Sequence, residues 1–514
     1  MSEIERIDSG LGRLALHGLA STRAREAAAL ATVEPFALMA RAGECVARLA
    51  LALAPHARKI VVFAGSGNNG GDGIEAATRL REFGKDASVV LVGEELRLPP
   101  DAAHALERAR NAGIVIRAFD ASRSDDADLS DAPELVIDAL LGIGLSRPPE
   151  ASMAAAIAAI ARLAAGGARV LAVDVPSGFD ADRGQPVGAS CVTAHDSLTF
   201  LTAKPGLFTG SGRDHAGQVW LATLGIPVDA ARPADAFLVG RADPSCAAVP
   251  RRPSQHKGSF GDVAIVGGAR GMIGAAWLAA RAAQAAGAGR VFVDPLGVDA
   301  ASFAAVDPRH PELMFRAGWA QGNAAVVSRA TVVCGCGGGD AVRPLLPRLL
   351  SIVARLVLDA DALNAIATDA SLQTLLRARA DRGHETILTP HPLEAARLLG
   401  TDTAGIQADR LRAAGELAER YRSVVVLKGS GTVIAMVGHP PRINATGNAS
   451  LASAGTGDVL AGWIGGRWAC GTSPAFEVAT RGVIEHGAAA EPERAGSLRA
   501  SDLIEALYAQ ARRG

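Results

Sequence analysis

Cysteine is scarce and scattered. The 514-residue sequence carries 6, at Cys45, Cys191, Cys246, Cys334, Cys336 and Cys470. There is no CxxC pair and no histidine spaced for a zinc finger, which argues against a disulfide framework or a zinc site. Cys334 and Cys336 alternate within residues 331–339 and read as small buried residues at a strand end. No sign of charge dominates: 52 Lys and Arg face 53 Asp and Glu, a formal net charge of -1. That balance gives no electrostatic case for a nucleic-acid or anionic-membrane partner. No uncharged apolar run approaches the roughly 18 residues of a membrane span; the alanine-rich stretch from Ala151 is broken by Arg162 and Arg169. The first ten residues hold Glu3, Glu5 and Asp8 and no apolar core, unlike a secretory signal. A cytoplasmic chain is expected, free of membrane and nucleic acid.

What is present is enough chain for two cores. Apolar residues make up 49% and charged residues 20%, the balance of an ordered globular protein. A helical segment over residues 22–53 precedes an apolar strand at 59–64. Helices at 74–83, 102–112 and 153–165 then alternate with strands at 87–92, 114–119, 135–141 and 170–175. Between Leu224 and Lys257 the pattern lapses into Pro227, Pro233, Pro244, Pro250 and Pro253, and the boundary is set there, giving domains 1–240 and 241–514. A second series follows: strands at 262–266, 290–294, 331–334, 355–359 and 386–389, helices at 275–286 and 407–422, a paired-strand unit at 424–437, and a helical region from Gly457. The fold class is α/β, two domains, each a mainly parallel sheet with helices on both faces.

The segment Gly65-Ser66-Gly67-Asn68-Asn69-Gly70-Gly71-Asp72-Gly73 stands between a strand and a helix. Free amides, the helix dipole and glycines that admit a phosphate suit a nucleotide there. Asp72 is the natural N-cap, and Asn68 and Asn69 offer oxygens to a ligand or a hard monovalent cation. Gly65, Gly67 and Gly70 fit the dinucleotide fingerprint, but the Asn-Asn insert is atypical of a hydride-transfer fold. Asp138 and Asp174 close apolar strands, where ligand crevices of open parallel sheets form. The competing reading of each is a loop cap.

Together these segments, with Met39-Ala40-Arg41-Ala42-Gly43 and Thr202-Ala203-Lys204-Pro205-Gly206, resemble the nicotinamide hydrate epimerase family, which implies a Rossmann-like first domain. The resemblance implies that Asn68, Asn69, Gly70, Gly71 and Asp72 hold a hydrated dinucleotide. It assigns the same role to Gly142, Ile143, Gly144, Leu145, Ser146, Arg147 and Pro148. Asn69, Asp138 and Ser177 would hold potassium, and Asp174 would meet the reacting ring as acid/base. Lys204 could assist, or be a solvated surface lysine.

In the second domain Ala454-Gly455-Thr456-Gly457-Asp458 opens an apolar helix. Glycine-lined amides beside an acid suit phosphoryl transfer to an alcohol. The run Gly455 to Asp458 resembles the anion hole of the ribokinase-like superfamily. Lys428-Gly429-Ser430-Gly431-Thr432 follows a strand and could cradle a nucleotide, or be a hairpin turn. With residues 256–261, 271–276, 358–364 and 389–394, these segments resemble the ADP-dependent nicotinamide hydrate dehydratases. The resemblance implies that Ala275, Gly337, His391 and Asp458 meet the hydrated substrate. ADP, a co-substrate, would lie on Lys428 to Thr432, Asn448, Gly455, Thr456 and Gly457.

His391 could instead order a loop between prolines. Glu394 is expected to cap the next helix. Asp359 and Asp361 could bind magnesium through water or cap their strand end. The sequence departs from the family at residues 334–339, Cys-Gly-Cys-Gly-Gly-Gly, where a GPGLG-like turn is usual. The expected activity is therefore epimerisation and ADP-dependent dehydration of hydrated NADH and NADPH by a homo-oligomer, with AMP and phosphate as by-products. The competing activity is a small-alcohol kinase with a non-catalytic N-terminal module.

Overall fold

A computed structural model describes residues 4–121, 133–149, 151–227, 233–247, 250–297, 307–492, 496 and 498–512. The chain forms two compact units, one of Met1–Asp8 with Ala15–Ala236 and one of Ser9–Leu14 with Phe237–Gly514. The division is thus not a single cut near residue 240. Arg13 places both Nε and Nη2 on Asp243, at 2.9 and 3.0 Å. The strand Ala236–Val239 pairs in parallel with His439–Asn444, within the second sheet.

The first unit holds an 8-stranded sheet. From one edge the strands are Ile4–Arg6, Gln218–Ala222, Asp196–Phe200, Arg169–Val173, Leu135–Ala139, Lys59–Gly65, Asp86–Val92 and Val115–Ala118. Only the Ile4–Arg6 edge is antiparallel. Alternate side chains of Lys59–Gly65 enter cores on opposite faces, Ile60 and Val62 on one, Val61 and Phe63 on the other. That alternation is the reason the strands read as unbroken apolar runs. The chain passes from Lys59–Gly65 outward to one side, then returns to continue with Leu135–Ala139 on the other. This reversal opens a crevice at the carboxyl ends of those two strands.

The second unit repeats the arrangement in an 11-stranded sheet. Asp262–Gly267 has Arg290–Pro295 on one side and Thr331–Cys334 on the other, all parallel, so the reversal lies between Asp262–Gly267 and Thr331–Cys334. Parallel strands continue to Val424–Leu427, which turns back antiparallel through Val433–Met436. Both faces are covered here too, with Val266 and Cys334 in one core and Ile265 and Val333 in the other.

Several elements differ from the sequence reading. The segment 22–53 is two helices, Leu19–Leu30 and Ala37–Leu53. Pro35 disfavours helix at Glu34, and Phe36 turns left-handed at φ 66°. The charged segment 407–422 divides at Asp409, which caps Arg410–Tyr421 through the Arg412 amide at 3.0 Å. Asp196–Phe200 escaped notice because a buried strand reading Asp-Ser-Leu-Thr-Phe lacks an apolar pattern; Asp196 is satisfied by Arg169 and Trp220. Among the described residues no helix is long and apolar enough to cross a membrane.

The helix Thr456–Ala469 is seated on Ile273–Ala285 through glycines. A Cβ at Gly462 would stand 2.0 Å from the Ala279 carbonyl, and one at Gly466 would stand 2.4 Å from that of Ala283. Gly462→Ala therefore forces two helix backbones apart. A loss of about 1–3 kcal/mol is expected, read as an earlier second-unit transition in urea, while Gly415→Ala, with open space around it, leaves that midpoint in place or raises it.

Candidate active sites

In the first unit the glycine-rich segment is helical. The helix begins at Asn68, not at residue 74, with Gly67 as N-cap, so Asp72 lies inside the helix and is not its cap. Most of the glycines serve packing. A Cβ would meet the Leu140 carbonyl at 2.0 Å from Gly65, the Gly65 carbonyl at 1.9 Å from Gly70, Met39 at 2.6 Å from Gly71 and Ala139 at 2.4 Å from Gly73. Gly67 alone of these has open space around it, so the approach of an anion narrows to the amides next to Gly67 and Asn68.

The strand Leu135–Ala139 carries Asp138, fully buried, beside Lys59–Gly65. Asp138 accepts from the Ser177 amide at 2.8 Å and the Ser177 hydroxyl at 2.6 Å. Burial pushes its carboxyl up to about 6, against the pull of those bonds. Ser177 Oγ also accepts the Leu141 amide at 2.9 Å. Gly142, next along, lies against Asn69: a Cβ there would stand 3.3 Å from the Asn69 side chain. The Asn69 amide nitrogen is buried without a hydrogen-bond partner. Since O and N of an amide are assigned by their surroundings, the unpartnered end can turn an oxygen to a cation, as the potassium expectation for Asn69, Asp138 and Ser177 requires. Residues 143–148 form a partly exposed loop beyond Gly142.

Asp174 follows Arg169–Val173 in a left-handed conformation, φ 66°, uncommon for any residue but glycine. Its Oδ1 receives Lys204 Nζ at 2.6 Å, and Lys204 also donates to Thr199 Oγ1 at 2.8 Å and the Phe200 carbonyl at 2.9 Å. Lys204 is 1% exposed, which removes the surface-lysine reading. Two carboxylates that share this corner are held above their usual range. Asp72 is raised well above it by burial and then by Asp174 and Glu26, and Glu26 is raised by burial and then by Asp174, with Lys204 opposing. Sequence reasoning missed Glu26; the helix Leu19–Leu30 brings it in, anchored by Thr22 Oγ1 on Thr202 Oγ1 at 2.7 Å.

In the second unit the expected residues converge on the sheet's reversal point. Cys336 lies just beyond Thr331–Cys334, and Asp359 just beyond Arg355–Leu358. Asp359 is the N-cap residue of Ala360–Ala367 but makes no cap bond. Its Oδ1 accepts Lys428 Nζ at 2.7 Å and Thr389 Oγ1 at 2.8 Å, and its Oδ2 lies 4.0 Å from the Cys336 sulfur. Burial works against the Lys428 ammonium, but Asp359 and Glu394 outweigh it and raise its pKa. Lys428 also reaches the start of Thr456–Ala469, where a Cβ on Gly457 would stand 3.4 Å from Nζ. Asp458, in that helix's first turn, is pushed up to about 6 by burial and then by Asp359. Buried His486, lowered to about 4 by burial, is neutral and holds the Thr456 carbonyl at 2.9 Å.

Gly337, left-handed at φ 58°, is pressed against Ala275, whose methyl would be 2.8 Å from a Cβ there. His391 is the N-cap of Pro392–Leu399: its Nδ1 accepts the Leu393 and Glu394 amides, while Glu394 returns a carboxylate to the His391 amide at 2.8 Å. Burial pushes Glu394 up to about 7. Lys428–Thr432 is a hairpin tip between Val424–Leu427 and Val433–Met436, as the turn reading expects. Buried Arg410, which sequence reasoning passed over inside a charged helix, braces that tip on the Leu427 and Lys428 carbonyls, each at 3.1 Å.

Two expected nucleotide contacts have their side chains engaged elsewhere. Asn448 Nδ2 donates to the Ala490 carbonyl and its Oδ1 accepts the Ser450 amide, and Thr456 Oγ1 lies 2.9 Å from the Leu451 and Ser453 carbonyls. Both side chains shape the loop before the helix, and the Thr456 amide donates to the Ser453 carbonyl at 3.5 Å. Asp361 Oδ2 takes the Gly339 amide at 2.8 Å. With Asp359 Oδ1 occupied and a thiol facing Oδ2, this set does not fit magnesium, a hard cation that wants near-octahedral oxygen.

Two family models match, one on each unit: the YjeF-related protein N-terminus over residues 35–206, and NAD(P)H-hydrate dehydratase over residues 263–508. The bifunctional NAD(P)H-hydrate repair enzyme Nnr of Escherichia coli is 36% identical, over 91% of this chain and 87% of its own. This chain belongs to the bifunctional NAD(P)H-hydrate repair enzyme family. The Coxiella burnetii member is 37% identical, over 89% of this chain and 90% of its own. The ADP/ATP-dependent NAD(P)H-hydrate dehydratase of Bacillus subtilis, co-crystallized with ATP/Mg2+, is 28% identical with a TM-score of 0.44, covering 52% of this chain and 95% of its own. Both halves of the repair family are thus represented, each on its own sheet.

Two outcomes follow from the buried charges. Lys204→Ala leaves Asp174 buried without its cation, a loss of about 3–5 kcal/mol, and the Asp174→Asn, Lys204→Met pair recovers part of it in first-unit urea unfolding. Asp458 binds its proton more tightly folded than unfolded, so its contribution to stability declines as pH rises from about 4 to about 6. Asp458→Asn is therefore more stable than wild type at pH 8, by on the order of 1–3 kcal/mol, and gains nothing at pH 3.5; equal differences at the two pH values would contradict the assignment.

Proposed function

We propose that the chain returns hydrated NADH and NADPH to their reduced forms, the first unit interconverting the two hydrate epimers and the second dehydrating one of them with ADP. Family membership across both units, with an acid in place at each sheet's reversal point, carries this reading. In the first unit the hydrate lies over the loop 142–148, its phosphates at the amides next to Gly67 and Asn68. Opening and reclosing the ring C–O bond needs a proton delivered to and taken from the leaving oxygen. Asp174 performs that transfer, with Lys204 as its buried counter-charge and proton partner. Asn69, Asp138 and Ser177 would hold potassium, which would supply a fixed positive charge in the crevice.

In the second unit Asp458 takes the proton from the ring hydroxyl, whose oxygen then bonds to the terminal phosphorus of ADP as the bond to AMP breaks. Phosphate and a proton leave adjacent ring carbons and the double bond returns. Lys428 and the amides of Gly455, Thr456 and Gly457 neutralise the charge that builds on the transferred group. The hairpin tip Gly429 to Thr432 closes over the nucleotide. Ala275, Gly337 and His391 border the substrate side.

The test is a coupled assay on full-length protein with mixed hydrate epimers, run separately with ADP and with ATP. Wild type consumes both epimers and restores the absorbance of the reduced cofactor. Asp174→Ala stalls with one epimer left. Asp458→Ala loses about 10²–10⁴-fold in nucleotide-dependent turnover while still binding ADP by calorimetry. A phosphorylated alcohol that accumulates without recovery of the reduced cofactor would favour a small-alcohol kinase instead.

A further inference from the structure

The turn at residues 334–339 places a thiol where the dehydratase chemistry is expected. Cys336 is fully buried, and its sulfur, an oxygen of Asp359 and an oxygen of Asp458 all lie within 4.8 Å of one another. The spacing of cysteines in the sequence gave no hint of this set, because it joins three separate strand and helix ends.

Two donors on one tetrahedral zinc stand about 3.5 Å apart, given bonds of about 2.0–2.3 Å. The three side chains thus need to close by only about 1 Å to share an ion. Lys428 holds Asp359 Oδ1, while Oδ2 is the oxygen turned to the sulfur. A sulfur with two carboxylate oxygens is a poor match for magnesium and a good one for thiophilic cations, and three protein ligands leave the fourth tetrahedral position open.

We propose that Cys336, Asp359 and Asp458 form a binding site for a thiophilic divalent cation of the zinc and cadmium class, which blocks the dehydratase half by occupying the reacting carboxylate. Binding releases the Cys336 thiol proton to solvent and forms one sulfur–metal and two oxygen–metal bonds; nothing is oxidised or reduced. The blocking effect rests on the reading of Asp458 as the reacting base, whereas the metal site does not.

Titration of the full chain with Cd2+ alone, followed by thiolate-to-metal absorption in the ultraviolet, tests the site directly. Wild type shows a band in excess of that of Cys336→Ala, which retains the remaining cysteines; equal bands overturn the proposal. Cys336→Ser, nearly isosteric, covers the case in which the alanine variant fails to fold, and its Zn2+ affinity falls at least about tenfold; unchanged affinity overturns the proposal as well. In the ADP-dependent assay Zn2+ inhibits wild type, and Cys336→Ser needs about tenfold more for half inhibition. A Cd2+ band that forms without any effect on turnover upholds the metal site and counts against Asp458 as the base.

Discussion

A carboxylate carried into the interior at the end of a parallel strand is costly unless it is partnered, and in each unit one such carboxylate meets a buried lysine. Asp174 with Lys204 at 2.6 Å and Asp359 with Lys428 at 2.7 Å are the pairs around which the two crevices are arranged. Removing charges from water costs several kcal/mol per ion unless close partners and hydrogen bonds offset it. Both lysines have them: Thr199 and the Phe200 carbonyl support the first pair, and Thr389 and Glu394 the second. Other acids nearby lack a lysine of their own. Burial therefore raises Asp72 and Glu26 above the usual carboxylate range, and lifts Asp458 to about 6 and Glu394 to about 7, where a carboxyl can give and take protons.

The sheets explain how such charges come together. In each, the chain reverses its direction of growth beside the first strand of the parallel set, and loops from neighbouring strands separate there. In the first unit glycines let the following helix close down on the strand, since Gly65 and Gly70 admit no Cβ at their contacts. In the second, Gly462 and Gly466 do the same between helices, which fixes the helix that presents Asp458. The glycine-rich character of both segments is thus mainly a packing requirement.

Most of the central strands were legible because, buried on both faces, they are unbroken apolar runs. Strands with buried polar side chains were not, as Asp196–Phe200 shows: its acid is tolerated only because Arg169 and Trp220 reach it from other strands. Site residues inside distinctive segments, such as Asp174, Asp458 and Lys428, could be singled out. Lys204 was ambiguous, because nothing local distinguishes a buried lysine from a surface one. Glu26, Arg410 and the grouping of Cys336 with two acids gave no local signal at all.

The sequence by itself determined that there are two α/β units, where most of their strands lie, the helix start that bears Asp458, and membership of the repair family, because these depend on local periodicity and on contiguous segments. Only the tertiary structure decided which acids are held near neutrality, that Asn448 and Thr456 serve their own loop, that Asp72 lies within a helix, and that a thiol faces two carboxylates. Those properties depend on burial and on distances between residues far apart in the chain, and such distances exist only once the sheets have formed.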